Sequence, residues 1–237
     1  MQFEDDMIEG KPARTIYKRG LQKKVNRQAC RKAKGIIDTE CNGESIIVVA
    51  AEVDPRVRRI VPQPVTFDLN TGEAYATKAA LTQAHHGTRY KPWIYTPDFL
   101  FEMVSGRNVF VEGKHSLWLR KNPRFDLVKE AMAELGHRLT VVTEEMFTPA
   151  HHRNLRILRT ISARQLQPER RAWLEGHLPE ELSFRQAQWL FNMTHSEVYA
   201  ALFDGLLATD LSLAPFADRT RLVRVSGDVS HLEVLSL

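Results

Sequence analysis

Cysteine is scarce in this 237-residue chain: Cys30 and Cys41 are the only two, and they lack any metal-ligand spacing. No apolar run approaches the ~20 residues that span a bilayer. No secretory leader is visible at the N-terminus either, so a reducing, cytoplasmic setting without a membrane partner is expected. Acidic residues are missing from Lys11 to Lys34, where ten positions are Lys or Arg. Such a block reads as an arm, residues 1–36, that either lies on phosphates or stays in solvent. On the first alternative Lys18, Arg19, Lys23, Lys24, Arg27, Arg31, Lys32 and Lys34 would hold a polyanion without reading its sequence. Over the whole chain 33 Lys and Arg exceed 29 Asp and Glu, a formal charge of +4 that permits a nucleic-acid partner without requiring one. A hydrophobic content of 43% suffices for a packed core, and the length suits one or two domains.

What is present concentrates between Ile94 and Lys114. Two β-rich runs flank the polar turn Ser105-Gly106-Arg107-Asn108, the pattern of a hairpin. With the turn centred near Gly106, Asp98 falls opposite residues 112–115. Glu112 and Lys114, two apart on a strand, share one face. Two carboxylates and an ammonium thus converge at one end of an otherwise apolar sheet. Hard carboxylate oxygens suit Mg²⁺, which keeps waters and completes its shell with substrate phosphate. Such an ion generates a hydroxide for phosphodiester hydrolysis, and a neighbouring lysine orients that water or offsets developing charge. The plain alternative is a surface hairpin with an ordinary Glu–Lys pair.

Pro97-Asp98, a spacer of about one hairpin, then Glu112-Gly113-Lys114 resembles the active-site signature of the restriction-endonuclease-like PD-(D/E)xK nucleases. The flanking phrase Tyr95-Thr96-Pro97-Asp98-Phe99-Leu100, with Gln63-Pro64 upstream, resembles TnsA, the endonuclease subunit of heteromeric, Tn-seven-like cut-and-paste transposons. The resemblance implies an α/β fold: a restriction-endonuclease-like nuclease core with a mixed sheet, then a small winged-helix-like C-terminal domain. It implies a Mg²⁺-dependent DNA endonuclease, with Mn²⁺ substituting, that cleaves the 5′ ends of a transposon. Its implied partners are double-stranded transposon-end DNA, a TnsB-like transposase and a TnsC-like ATPase, in a bacterial cytoplasm and on the nucleoid when active. Asp98 and Glu112 are implied as metal ligands with the Gly113 carbonyl, and Lys114 as the group that positions the nucleophile. Glu44 would complete the carboxylate set, and Gln63 would shape the site. A stand-alone restriction or repair nuclease of the same fold is one alternative; a catalytically inactive DNA-bound scaffold is another.

The remaining chain is read around that core. Residues 46–49 are β-branched and favour a strand by propensity. TnsA-like chains instead place a helix here, running from a glutamate to an acidic-x-Asp-Pro phrase. Glu44, Glu52 and Pro55 fit that phrase, so a helix is expected with Glu44 in its first turn and Glu40 as the competing glutamate. A linker from Val57 and a strand from Pro64 to Leu69 follow, then a surface insertion over residues 70–91. The adjacent His85 and His86 point in different directions on regular backbone and are not taken as a ligand pair. Asn122-Pro123 is expected to open a helix ending at Gly136. Phe125, Val128, Ala131, Met132 and Leu135 form its apolar stripe, and a strand follows from His137. Arg120, Lys121 and Arg124 contact phosphates or are merely solvated. The nuclease domain is thus expected over 37–161 and a second domain over 162–237. In the latter, Ser183-x-x-Gln186 and Thr194-x-x-Glu197 are capping boxes. Helix, three-residue turn, helix, then strands over 209–213 and 221–225 form a winged-helix pattern. Its second helix is poor in Lys and Arg and carries Glu197 and Asp204, which favours docking to protein over base reading.

Overall fold

The computed structural model describes residues 26–162 and 164–237, which form a mixed α/β protein of two compact units. Within the described residues, the first unit holds 26–48, Arg56–Glu144 and Ser236–Leu237; the second holds Val49–Pro55 and Glu145–Leu235. The division falls after Glu144, whereas the sequence reading places it after Ile161. Among the described residues no helix is long and apolar enough to cross a membrane.

The first unit opens with a hairpin of β1 (Asn26–Cys30) and β2 (Gly35–Thr39). The expected basic arm over residues 1–36 is therefore corrected from Asn26 onward, where the chain is a folded hairpin. Cys30 and Ile37 are buried, Lys32 accepts the Ile60 N–H through its carbonyl, and Arg27 pairs with Asp38. Helix α1 (Asn42–Val53) follows, as the resemblance implies and against the strand propensity of its Ile-Ile-Val-Val run. Burial decides: Ile46 to Ala51 are all inaccessible, and tertiary burial outweighs a fraction of a kcal/mol per residue in propensity.

The expected linker after Pro55 is instead β3 (Val57–Pro62), whose Arg58 and Arg59 both reach Glu102 of β7 (Phe99–Met103), at 3.1 and 3.2 Å. The two adjacent arginines thus share one carboxylate across the sheet, Arg58 largely exposed and Arg59 half-buried. β3, β7, β8 (Asn108–Gly113) and β9 (Leu139–Val142) form a sheet in that order. The first two pairings are antiparallel and β8–β9 is parallel. A second antiparallel sheet joins β5 (Ala74–Tyr75), β4 (Thr66–Asp68) and β6 (Ile94–Tyr95) in the order β5-β4-β6. The 70–91 stretch is thus more than a surface insertion: it supplies β5 and helix α2 (Lys78–Ala84), anchored by buried Leu81.

The helix expected from Asn122 to Gly136 is shorter, and a second helix that was not expected precedes it. Helix α3 (Ser116–Lys121) ends at Asn122, whose amide donates back to the Trp118 carbonyl at 2.8 Å. Helix α4 (Phe125–Glu134) then starts without a side-chain cap. Asn122 closes a helix where it was expected to open one. The stripe Phe125, Val128, Ala131 and Met132 is buried against Val61, Phe67, Leu100 and Phe110, so α4 covers one face of the sheets.

The second unit contains α5 (Pro149–Ile161), α6 (Pro168–His177), α7 (Phe184–Phe191) and α8 (His195–Phe203). Its small sheet has the order β10 (Glu181–Ser183), β12 (Arg221–Arg224), β11 (Leu207–Ala208), all antiparallel. Both capping boxes form as read, Ser183 with Gln186 and Thr194 with Glu197. The strand expected over 209–213 lies earlier, at β11. Beyond it, Asp210 takes the Ser212 N–H and hydroxyl, a local turn that ends the extended run. Asn154, on α5, is buried and binds the Leu211 and Ala214 carbonyls and the Phe216 N–H, which fixes the loop after β11.

Candidate active site

The antiparallel pairing of β7 with β8 sets Phe99 opposite Val111, so Asp98 and Glu112 meet at the next step of the ladder. Gly106, at φ +82°, closes the turn by donating to the Met103 carbonyl. The Asp98 N–H donates to Glu112 Oε2 at 3.2 Å, and the Gly113 N–H donates to Asp98 Oδ2 at 2.9 Å. Each carboxylate is therefore tethered by the backbone of the other's strand. Lys114 Nζ pairs with Glu112 Oε1, as their shared face requires. The Lys114 N–H donates to the Val142 carbonyl, which extends the parallel β8–β9 ladder.

Glu44 arrives from a different direction, on the first turn of α1. A Cβ built on Gly113 would lie 2.9 Å from Ile47 Cδ1, 3.5 Å from Glu44 Cγ and 3.7 Å from Asp98 Oδ2. Glycine at this position lets α1 approach the strand pair closely enough to bring Glu44 beside Asp98. The Glu44 carboxylate accepts the Glu40 N–H at 2.7 Å and the Cys41 thiol at 3.6 Å. Glu40, the competing glutamate, thus serves Glu44 through its backbone. Burial, followed by repulsion from Asp98, raises the Glu44 pKa to about 7. Burial works against the Lys114 ammonium, yet Glu112 and Asp98 outweigh it and raise the Lys114 pKa.

Tyr95 belongs to the flanking phrase, and its contact depends on the fold rather than on spacing along the chain. Its buried hydroxyl donates to Glu112 Oε2 at 2.9 Å, and burial with the Glu112 charge drives the phenol pKa far upward. Gln63 has φ +42°, donates its N–H to the Asp98 carbonyl at 2.8 Å, and has a buried Oε1 with no partner among the described residues. It sits directly behind Asp98, although nothing in its glutamine side chain signalled the positive φ.

Asp98, Glu112, Gly113, Lys114, Glu44 and Gln63 are therefore brought together. The basic residues are not: Arg27, Arg31, Lys32 and Lys34 belong to the β1–β2 hairpin and its turn, and Lys18, Arg19, Lys23 and Lys24 lie outside the described residues. His85 and His86 stand apart from this constellation. His85 instead sits 3.9 Å from buried Asp68, which also takes the Tyr90 hydroxyl and the Trp93 N–H.

Among the described residues no group of three His, Cys, Asp or Glu side chains is set at metal-holding distances. The donor set nonetheless fits a hard divalent cation in its chemistry. Three carboxylates share one ammonium, and a cation among them would relieve both the burial of the Glu44 charge and its repulsion by Asp98. No protein-family model matches the chain, and comparison with curated proteins gives no match.

Proposed function

We propose that this chain is a Mg²⁺-dependent DNA endonuclease that acts as a transposase subunit, cutting the 5′ ends of a cut-and-paste transposon in concert with a separate transposase. The observation that carries the reading is the convergence of Asp98, Glu112 and Lys114 on one hairpin end with Glu44 on the adjoining helix turn. The order helix α1, β3, β7, β8, helix α4, parallel β9 supports a restriction-endonuclease-like core. The α7–turn–α8 pair with strands β10, β11 and β12 supports a winged-helix-like second domain. In that pair α8 carries no Lys or Arg and has Glu197 in its first turn, which speaks against major-groove reading and leaves docking to a TnsB-like or TnsC-like protein as the favoured role.

Glu44, Asp98, Glu112 and the Gly113 carbonyl would hold the Mg²⁺ ion. When bound, the ion supplies a hydroxide at neutral pH and shields the leaving oxygen. The protein's own part is positional and electrostatic. Tyr95 keeps its proton and holds Glu112 in one orientation. The backbone tethers fix Asp98 and Gly113 against each other. Lys114 stays protonated beside Glu112, where its ammonium orients water and offsets charge that develops on the phosphorane.

The test is Mg²⁺-dependent nicking of transposon-end DNA with the transposase present, comparing wild type with Asp98→Ala. Specific 5′-strand nicks are expected from wild type and none above background from the variant. Nicking of arbitrary DNA without any partner would point to a stand-alone nuclease. Equal Mg²⁺-independent behaviour of both proteins, with the variant folded and the partners competent, would sink the enzymatic reading.

A further inference from the structure

Helix α3 begins two residues after Lys114 and presents an unusual surface. Leu117 is 53% exposed and Trp118 42% exposed, although both are large and apolar. The helix base is nevertheless fixed. The Ser116 N–H and hydroxyl donate to Glu144 at 2.9 and 2.5 Å, and His115 Nδ1 accepts the Leu117 N–H while lying 3.1 Å from the same carboxylate. The Trp118 ring packs edge-on against Phe125 at 5.7 Å between centroids, and Lys114 Nζ lies 5.5 Å from its centre. The indole is therefore held in one orientation beside the candidate lysine, with nearly half its surface open.

Charge narrows what fits there. Arg120 and Lys121 occupy the last turn of α3, and Arg124 follows just beyond. An exposed indole with Lys114 against its ring, on a helix that ends in cations, matches a ligand that is both polyanionic and built of flat rings. Nucleic acid meets both conditions: phosphates take the cations, and a base or sugar lies on the ring. An apolar protein helix would cover Leu117 and Trp118 but leave the cations opposite nothing.

We propose that α3 is the wall on which the DNA strand beside the scissile phosphate lies, with Trp118 as a positioning residue for the nucleotide next to the cut. This rests on the nuclease reading above. Lys114 links the two, because its ammonium faces Glu112 on one side and the indole on the other. Rigid attachment of α3 through Ser116 and Glu144 would convert contact at Trp118 into register at the carboxylates.

The test uses the full chain carrying Asp98→Asn and a fluorescein-labelled duplex of arbitrary sequence, titrated with Mg²⁺ present. Trp118→Ala is expected to weaken binding about tenfold, and Trp118→Phe to restore most of it, because stacking tolerates any aromatic ring. Arg120→Ala with Lys121→Ala should make the salt dependence shallower, which Trp118→Ala should not. In proteins with Asp98 intact, Trp118→Ala should raise KM for nicking and also lower kcat, because a strand held out of register presents its phosphate poorly to the carboxylates. DNA should also quench part of the tryptophan emission, a part that Trp118→Phe removes; this reading decides the matter if Trp118→Ala does not fold. Unchanged binding, KM and quench in folded Trp118 variants overturn the proposal for α3 alone, provided wild-type nicking depends on Asp98. Failure of the wild type to bind or cut DNA at all overturns both proposals.

Discussion

Two side chains show how burial without a partner sets behaviour at the residue scale. Gln63 adopts a left-handed backbone that glutamine rarely occupies, and it sits behind Asp98. His231, in the second unit, is half-buried with both ring nitrogens inaccessible and without a partner among the described residues, and burial lowers its pKa to about 4 despite the pull of Asp228. The folded chain therefore keeps His231 neutral, while the unfolded chain protonates it below the ordinary value of 6.5. Stability from this group is full above pH 6.5 and is lost as pH falls towards 4, by about 3 kcal/mol over that window. His231→Leu should remove that loss. Urea titrations of both proteins at neutral and acidic pH check it, and an equal acid loss in the two would count against the assignment.

At the scale of elements, two glycines in regular structure have opposite expected effects. Gly113 ends β8 where α1 comes closest, and an added Cβ meets Ile47 at 2.9 Å with Glu44 just behind. Gly113→Ala is expected to lower stability by about 1 kcal/mol, since only the tip of Ile47 must yield. It should slow nicking roughly 10-fold, since the new methyl fills the space between Ile47, Glu44 and Asp98, and a shift of a fraction of an ångström in either carboxylate misplaces it. Gly176 lies in α6 with nothing within 4 Å of a new Cβ. Gly176→Ala should stabilise by about 0.5 kcal/mol through helix propensity and leave nicking unchanged. Thermal melts and the nicking assay, run in parallel on both variants, separate the two mechanisms.

At the scale of the whole molecule, the two units do not follow a single cut in the chain. Val49–Pro55, the second half of α1 and the residues after it, cluster with Glu145–Leu235. In that unit the buried Glu52 carboxylate pairs with Arg159 of α5 at 2.7 Å. A fragment ending at Glu144 would keep buried Val49, Ala50, Ala51 and Val53 but lose Glu145–Leu235, with which they cluster. Such a fragment is expected to lack a cooperative thermal transition by circular dichroism and to regain one when residues 145–237 are added in trans. A sharp transition in the isolated fragment would show that the first unit closes its own core.

Local chemistry was legible in the sequence because it acts over a few residues. The turn at Gly106 sets the β7–β8 register, and register alone brings Asp98, Glu112 and Lys114 together. The capping boxes at Ser183 and Thr194 close within three residues and formed as read. Other features depended on partners far along the chain. The β-branched run of α1 is helical because its side chains are buried, and β3 is a strand because it pairs with β7 and buries Val57, Ile60 and Val61. Asn122 closes α3 because Trp118 offers a carbonyl there, although the same Asn-Pro pair suits a helix start. The Tyr95 hydroxyl reaches Glu112 only once β6 and β8 are placed. The sequence by itself determined which groups a hairpin and its caps would present. Only the tertiary structure decided how α1 meets that hairpin at Gly113, because such an approach depends on side-chain volume and burial rather than on spacing along the chain.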